Sequence, residues 1–370
     1  MSPAADSPTL SWLVPLLACP VCREGVVLVA DPDGDGVLQH EAGSCPETYP
    51  VVDGIPRVVL GYQRQRVVQA HPEWFARTPV RRALGDQWSR AAGQAGVTAR
   101  VVSGFDDEWQ RFADVGTAED RAIFAQYFDL IGQELLAADR VVLDAGCGAG
   151  RWAFRVASHG PRVIAVDLGR SVELARRNTM SSGRVACVQA DLCALPLRAG
   201  SVDWAYALGV LHHIDRPETA LTRVAEAVRP GGQVLLYVYY ALEIRGPVYR
   251  GLFRAIDRVR RVTSRLPRRL LVPLAGAVAV AVYWPLARAA RALDLLGAHD
   301  AANALPLAFY RERSLRIMFN DSVDRFGTIL ERRYTREDVA RLARAAGLGN
   351  PWFSTAAPFW HAVAPTRGVG

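Results

Sequence analysis

Val141-Val-Leu-Asp-Ala-Gly-Cys-Gly-Ala-Gly150 decides the fold: an apolar strand runs into a glycine turn that opens a helix at Arg151. Missing side chains at Gly146, Gly148 and Gly150 let a ligand lie directly against backbone. The next apolar run, Arg162 to Val166, ends at Asp167-Leu168, about 20 residues on, where a carboxylate can accept hydrogen bonds from both hydroxyls of an adenosine ribose. A third run, Val185 to Gln189, ends in Ala190-Asp191-Leu192 and places a second carboxylate where an adenine amino group could donate to it. A fourth, Asp203-Trp-Ala-Tyr-Ala-Leu-Gly-Val-Leu-His-His-Ile214, carries polar groups at its carboxyl end, where ligands bind in such sheets. Asp203 itself reads as a structural turn residue. Position 151 is Arg, where a dinucleotide turn needs a third small residue, so the pattern is GxGxG and favours S-adenosylmethionine over a dinucleotide.

Outward from that stretch, a fifth run covers Val234 to Tyr239, and a final helix, Thr335 to Ala346, precedes two further strands. Apolar strands alternating with amphipathic helices argue for a parallel sheet covered on both faces. The motifs LDAGCGAGRW, VDLGRSVELARRN, QADLCALPL, SVDWAYALGVLHHI and RPGGQVLLYVY together resemble, in order, those of class I S-adenosylmethionine-dependent methyltransferases of the type 11 kind. That resemblance implies an α/β fold built on a Rossmann-like seven-stranded methyltransferase sheet. It puts Asp144, Gly146, Gly148 and Gly150 around the methionine part, Asp167 and Leu168 at the ribose, Asp191 and Leu192 near the adenine, and Leu208 beside the methyl donor. Upstream, Asp106-Asp-Glu-Trp-Gln-Arg-Phe112 resembles the acidic-aromatic stretch that covers the cofactor in one branch of these enzymes, with Trp109 and Arg111 as the covering residues.

A sulfonium carries its own good leaving group, so the protein's main task is to hold a nucleophile in line with the methyl carbon and exclude water. Where the acceptor is a hydroxyl or an acidic carbon, a group titrating near neutrality helps, and His212 and His213 at the end of the fourth strand are the candidate catalytic residues.

Near the start, Leu16-Leu-Ala-Cys-Pro-Val-Cys22 sets two cysteines on a tight turn, and Cys45-Pro-Glu-Thr-Tyr-Pro-Val-Val-Asp-Gly-Ile-Pro56 follows. Paired turns suit a zinc ribbon, whose four ligands converge tetrahedrally. The stretch resembles the small zinc-ribbon domain that serves elsewhere as an activating subunit of RNA and protein methyltransferases. It departs from that family at Ala42, where a cysteine is expected, so the metal set is Cys19, Cys22 and Cys45 with His40 as fourth ligand.

The chain thus divides into a zinc-ribbon-like module (1–61), a helical lead-in that covers the cofactor (62–138), a cofactor-binding core (139–240), a helical insertion after the fifth strand (241–330), and the last helix and strands of the core (331–370). In the insertion, nine arginines between Arg245 and Arg269 face Asp257 alone, and Leu270 to Ala287 is wholly apolar. Eighteen residues touch the lower bound for a membrane span. Pro273, Gly276 and Pro285 interrupt the run, and a crossing would part the last strands from their sheet. A lid over the substrate mouth, or peripheral membrane contact through 245–290, remains.

The 370 residues carry a net charge of +7, with every basic residue an arginine, which fits a GC-rich genome and is weak evidence for nucleic acid as a partner. Six cysteines, Cys19, Cys22 and Cys45 near the start and Cys147, Cys187 and Cys193 in the catalytic region, are unlike a small disulfide scaffold and imply a reducing compartment, and no secretory signal is apparent, so a cytoplasmic location is expected. The favoured acceptor is a small-molecule, lipid or sugar-like compound. Methylation of an RNA base, a nicotinamide-dependent oxidoreductase and a catalytically silent partner subunit are the alternatives.

Overall fold

The structure is a computed structural model that describes residues 8–32, 34–40, 45–93, 96–111, 115–242, 246–355 and 360–367. Its strands are β1 (Val26–Ala30), β2 (Gly36–His40), β3 (Tyr49–Val52), β4 (Ile55–Val58), β5 (Val141–Ala145), β6 (Arg162–Asp167), β7 (Val185–Ala190), β8 (Val202–Leu208), β9 (Val228–Tyr237), β10 (Trp352–Phe353) and β11 (His361–Pro365). They form one sheet in the order β1-β2-β3-β4-β7-β6-β5-β8-β9-β11-β10. From β7 to β9 every pairing is parallel, and β11 returns antiparallel to β9. Val142, Leu143, Val163 to Val166 and Trp204 to Ala207 are all buried, as strands covered by helices on both faces must be. The Asp203 carboxylate accepts from the backbone N–H of Val141 at 2.7 Å, which ties the entry of β5 to β8.

Seven strands, β5 to β11, follow one another across the sheet, but the sheet does not stop there. β4 adds to β7 in parallel, with Arg57 opposite Gln189 and Val58 opposite Ala190. The N-terminal strands are therefore continuous with the central sheet, and Leu13, Leu17, Cys19 and Val51 share a core with Ile164, Val188 and Ala190. Asp53 and Gly54 both take positive φ (53° and 69°), the Asp-Gly turn that a tight β3–β4 hairpin requires.

β9 begins at Val228, earlier than its apolar run suggests. Arg229-Pro-Gly-Gly232 interrupts the ladder inside that strand: Val202 pairs with Val228 and Trp204 with Gln233, so these four residues bulge out between the two pairs. In the insertion, Pro273 and Pro285 do not end a helix that runs from Arg268 to Leu295. A π-helical turn, Ala279–Tyr283, directly precedes Pro285, and such a turn absorbs the hydrogen bond that proline cannot make. The helix Leu315–Gly327 packs against it, and Pro247–Thr263 packs in turn on Leu315–Gly327.

Candidate functional site

β5 delivers the chain into three glycines with positive φ: Gly146 (88°), Gly148 (51°) and Gly150 (80°). The turn is closed by β6, whose Val166 carbonyl accepts from the N–H groups of both Gly146 and Cys147. Asp167, at the end of β6, accepts from Gly148 N at 2.9 Å through Oδ2 and from Gly169 N at 2.8 Å through Oδ1. Both oxygens are thus aimed by backbone donors and each keeps a further lone pair. Leu168 follows it, half-buried, and its carbonyl accepts from Gln189 Nε2 at 3.1 Å. Asp191 caps the short turn Leu192–Ala194 by accepting from Cys193 N at 2.8 Å, with Leu192 buried behind it. Asp144 is buried in the end of β5. Burial, opposed by the Tyr206 hydroxyl beside it and reinforced by the Asp167 charge, pushes its carboxyl up to about 8, and neither Oδ2 nor that hydroxyl meets hydrogen-bond geometry with a partner among the described residues. An orphaned buried carboxylate oxygen beside a side-chain-free turn is a fit for a ligand that brings a cationic group.

The helix Val97–Arg111 lies across this turn. A Cβ built on Gly148 would stand 2.6 Å from the Trp109 indole, so Trp109 covers the glycines as the acidic-aromatic stretch suggests. Asp106 on the same helix accepts from Ser171 N at 3.2 Å and from Arg66, and burial together with the Asp167 charge pushes it up to about 6. The side chain of Arg111 lies outside the described residues. We expect Gly148→Ala to weaken cofactor binding tenfold or more, because a Cβ is strained at φ 51° by about 1–2 kcal/mol and collides with Trp109 as well. Calorimetric titration with S-adenosylmethionine checks this; an unchanged Kd would mean that the turn is not the binding surface.

Beyond Trp109 opens a cavity of about 1370 Å3, above the usual range of roughly 300–1,000 Å3 for small-molecule pockets. Trp109, Leu208, Gly209 and His213 line it, and so do Tyr237, Tyr239, Tyr283, Tyr310, Asp321 and Asp324. The other residues singled out in the glycine turn and at Asp167 and Asp191 sit behind the covering helix and do not line this space.

His212 and His213 separate. They share a 3₁₀ turn, Leu211–His213, in which neighbouring side chains diverge by about 120°. His213 reaches the cavity wall, and its Nδ1 lies 2.7 Å from the Leu330 carbonyl. A carbonyl only accepts, so Nδ1 is the donor there, and in the neutral ring the lone pair is on Nε2. His212 turns into the core, stacked on Tyr239 with ring centroids 3.9 Å apart, and burial pushes it well below its ordinary pKa. Neither ring nitrogen has a hydrogen-bond partner among the described residues, and His212, unlike His213, does not line the cavity.

Two acids went unnoticed in the sequence. Asp321 accepts from the Tyr310 hydroxyl and Asp324 from the Tyr239 hydroxyl, each at 2.8 Å. Burial, opposed by the Tyr310 hydrogen bond, pushes Asp321 up to about 6. Their i, i+3 spacing, which sets two acids on one face of the helix Leu315–Gly327, is the signal that could have found them.

At the N-terminal end, the ligand atoms of Cys19, Cys22, His40 and Cys45 all lie within 4.8 Å of one another. His40 is buried, its Nδ1 is 3.5 Å from Cys22 Sγ, and its Nε2 has no hydrogen-bond partner among the described residues. Ala42 lies outside the described residues. The cluster is docked on the core by Arg23, which donates to the carbonyls of Leu195 and Leu197 at 2.9 and 3.1 Å. A second link runs inward. Fully buried Arg57 on β4 donates to Gln189 at 3.0 Å and to Glu173 at 3.3 Å, and Gln189 in turn holds the carbonyl of Leu168.

Residues 143–236 match the family described as methyltransferase domain. An uncharacterized methyltransferase of Mycobacterium tuberculosis is 31% identical over 108 residues, 29% of this chain and 55% of its own length. The ubiquinone biosynthesis O-methyltransferase of Idiomarina loihiensis is 33% identical over 97 residues, 25% of this chain and 40% of its own. The chain spans about half the length of the curated relatives it matches. Among solved structures, Burkholderia thailandensis 1,6-didemethyltoxoflavin-N1-methyltransferase is similar over 73% of this chain and 87% of its own, at 20% identity and a TM-score of 0.41. Residues 143–236, from β5 to β9, are therefore similar to a methyltransferase domain and lie between an N-terminal cysteine-bearing segment and a helical insertion that the family match does not reach.

Proposed function

We propose that the protein is an S-adenosylmethionine-dependent methyltransferase that methylates a hydroxyl group on a large small-molecule or lipid-like acceptor. The observation that carries this reading is Trp109, which covers the Gly148 turn and also lines a cavity on whose wall His213 stands with its Nδ1 2.7 Å from the Leu330 carbonyl. S-adenosylmethionine, when bound, supplies an electrophilic methyl carbon. Asp167 and Asp191 would hold its ribose and adenine, while Trp109 and Leu208 shield the methyl end from water. His213 Nε2 takes the acceptor's proton, and the Leu330 carbonyl fixes the ring in the tautomer that can do so. Several similar proteins are named as O-methyltransferases, which supports oxygen as the methylated atom. The test is calorimetry with S-adenosylmethionine and with a nicotinamide dinucleotide, followed by labelled methyl transfer onto cell extracts. Binding of the dinucleotide alone would overturn the proposal.

The N-terminal cluster is proposed to hold one zinc ion. Three thiolates and an imidazole are the donors a tetrahedral zinc site uses, and Zn–S bonds of about 2.3 Å bring sulfurs to roughly 3.8 Å apart, close to the spacing already present. Elemental analysis of protein purified without chelator is expected to give one zinc per chain, and Cys19→Ser to lose it with a fall in Tm. Metal-free wild-type protein, or full zinc in Cys19→Ser, would reject the site.

A further inference from the structure

The helix Arg268–Leu295 carries a surface that methyl transfer does not use. Its most apolar 18-residue window has a mean hydropathy of 2.0, and only 28% of that window is buried. Leu271, Ala275, Ala279, Tyr283, Ala287 and Ala290 form the buried stripe, spaced three and four residues apart along one side. The opposite side exposes Leu270, Leu274, Val280, Val282 and Trp284, each between 42% and 58% accessible. The preceding helix Pro247–Thr263, packed on Leu315–Gly327, adds exposed Leu252, Val259 and Val262. An exposed apolar surface of this extent marks a contact surface.

Charge says what the contact is with. Arg250, Arg254, Arg258, Arg261, Arg265 and Arg269 are exposed along the same stretch. The one acid within it, Asp257, is engaged by Arg260 and Arg261. An apolar helix face bordered by exposed guanidinium groups matches the boundary between acyl chains and anionic headgroups of a bilayer. A span does not fit. The buried stripe holds the helix against the protein over most of its length, and the chain beyond it returns to place Leu330 on His213 and β11 on β9.

We propose that the protein docks peripherally on anionic membranes, with the helix Arg268–Leu295 lying in the plane of the interface and the arginines of 250–269 on the headgroups. Tyr283, on the inner stripe, lines the cavity while Val282 and Trp284 face outward. The bilayer would therefore lie about one helix diameter, roughly 10–12 Å, from the acceptor space. Docking does not require the reaction to be methyl transfer.

The full chain is to be floated with vesicles of phosphatidylcholine alone and of an equal mixture with phosphatidylglycerol, at low and high salt. Binding is expected with the mixed vesicles, at least tenfold weaker with phosphatidylcholine, and weakened by salt because surface charges are screened over about 10 Å at 0.1 M. Val280→Glu with Trp284→Glu, and separately Arg254→Glu with Arg258→Glu, should each lower binding at least tenfold. Neither pair touches the cofactor site, so S-adenosylmethionine affinity and the melting curve serve as folding controls. Three outcomes overturn the proposal: no flotation with anionic vesicles at low salt, flotation unchanged in both variants, or a wild-type dimer that Val280→Glu with Trp284→Glu dissociates while vesicles are ignored.

Discussion

Asp167→Ala is expected to lower the affinity for S-adenosylmethionine at least tenfold. The carboxylate would accept from two ribose hydroxyls, and a hydrogen bond to a charged group is worth about 1.5–3 kcal/mol, while roughly 1.4 kcal/mol is already a factor of ten. The same oxygens hold Gly148 N and Gly169 N, so truncation also unties the turn that receives the ligand. Asp167→Asn keeps one acceptor oxygen and should fall between wild type and alanine. Calorimetry is the direct measurement, and an alanine variant with the wild-type Kd would remove Asp167 from the ribose.

His213→Ala should reduce kcat by about 10²–10⁴, the usual contribution of a positioned general base. Cofactor affinity should stay put, because His213 stands on the cavity wall beyond the covering helix rather than at the glycine turn. The adjacent His212→Ala makes a sharp contrast. That ring is buried against Tyr239, so its loss should lower Tm and leave the chemical step nearly intact. Single-turnover methyl transfer separates the two. Equal kcat in wild type and His213→Ala would dismiss the base.

The glycine turn, the strand-end carboxylates and the cysteine-histidine set were legible in the sequence because each depends on local backbone or on ligand chemistry that narrows the residue choice. Gly148 must be glycine at its φ, Asp167 sits where β6 ends, and His40 lies close to three sulfurs. The parallel pairing of β4 with β7 was not legible. It joins residues more than a hundred positions apart, and nothing near Ile55–Val58 distinguishes a strand that ends a ribbon from one that extends a larger sheet. The two histidines also looked equivalent, since only the pitch of a 3₁₀ turn and the arrival of Leu330 tell them apart. Asp321 and Asp324 came from an insertion whose apolar and arginine-rich runs drew the reading away from its last helix.

The seam between β4 and β7 joins the cysteine-bearing segment and the central parallel sheet into a single cooperative unit. Separating the chain near residue 61 would strip the parallel neighbour from β7 and leave Arg57 without Gln189 and Glu173, so each fragment would carry a bare strand edge open to self-association. Loss of a metal from the cysteine-histidine cluster and loss of Asp167's alignment would then not be separate failures. The linkage through Arg57, Gln189 and Leu168 lets the same unfolding free energy answer to occupancy at both ends of the sheet, so a ligand at either one raises the melting temperature of the whole.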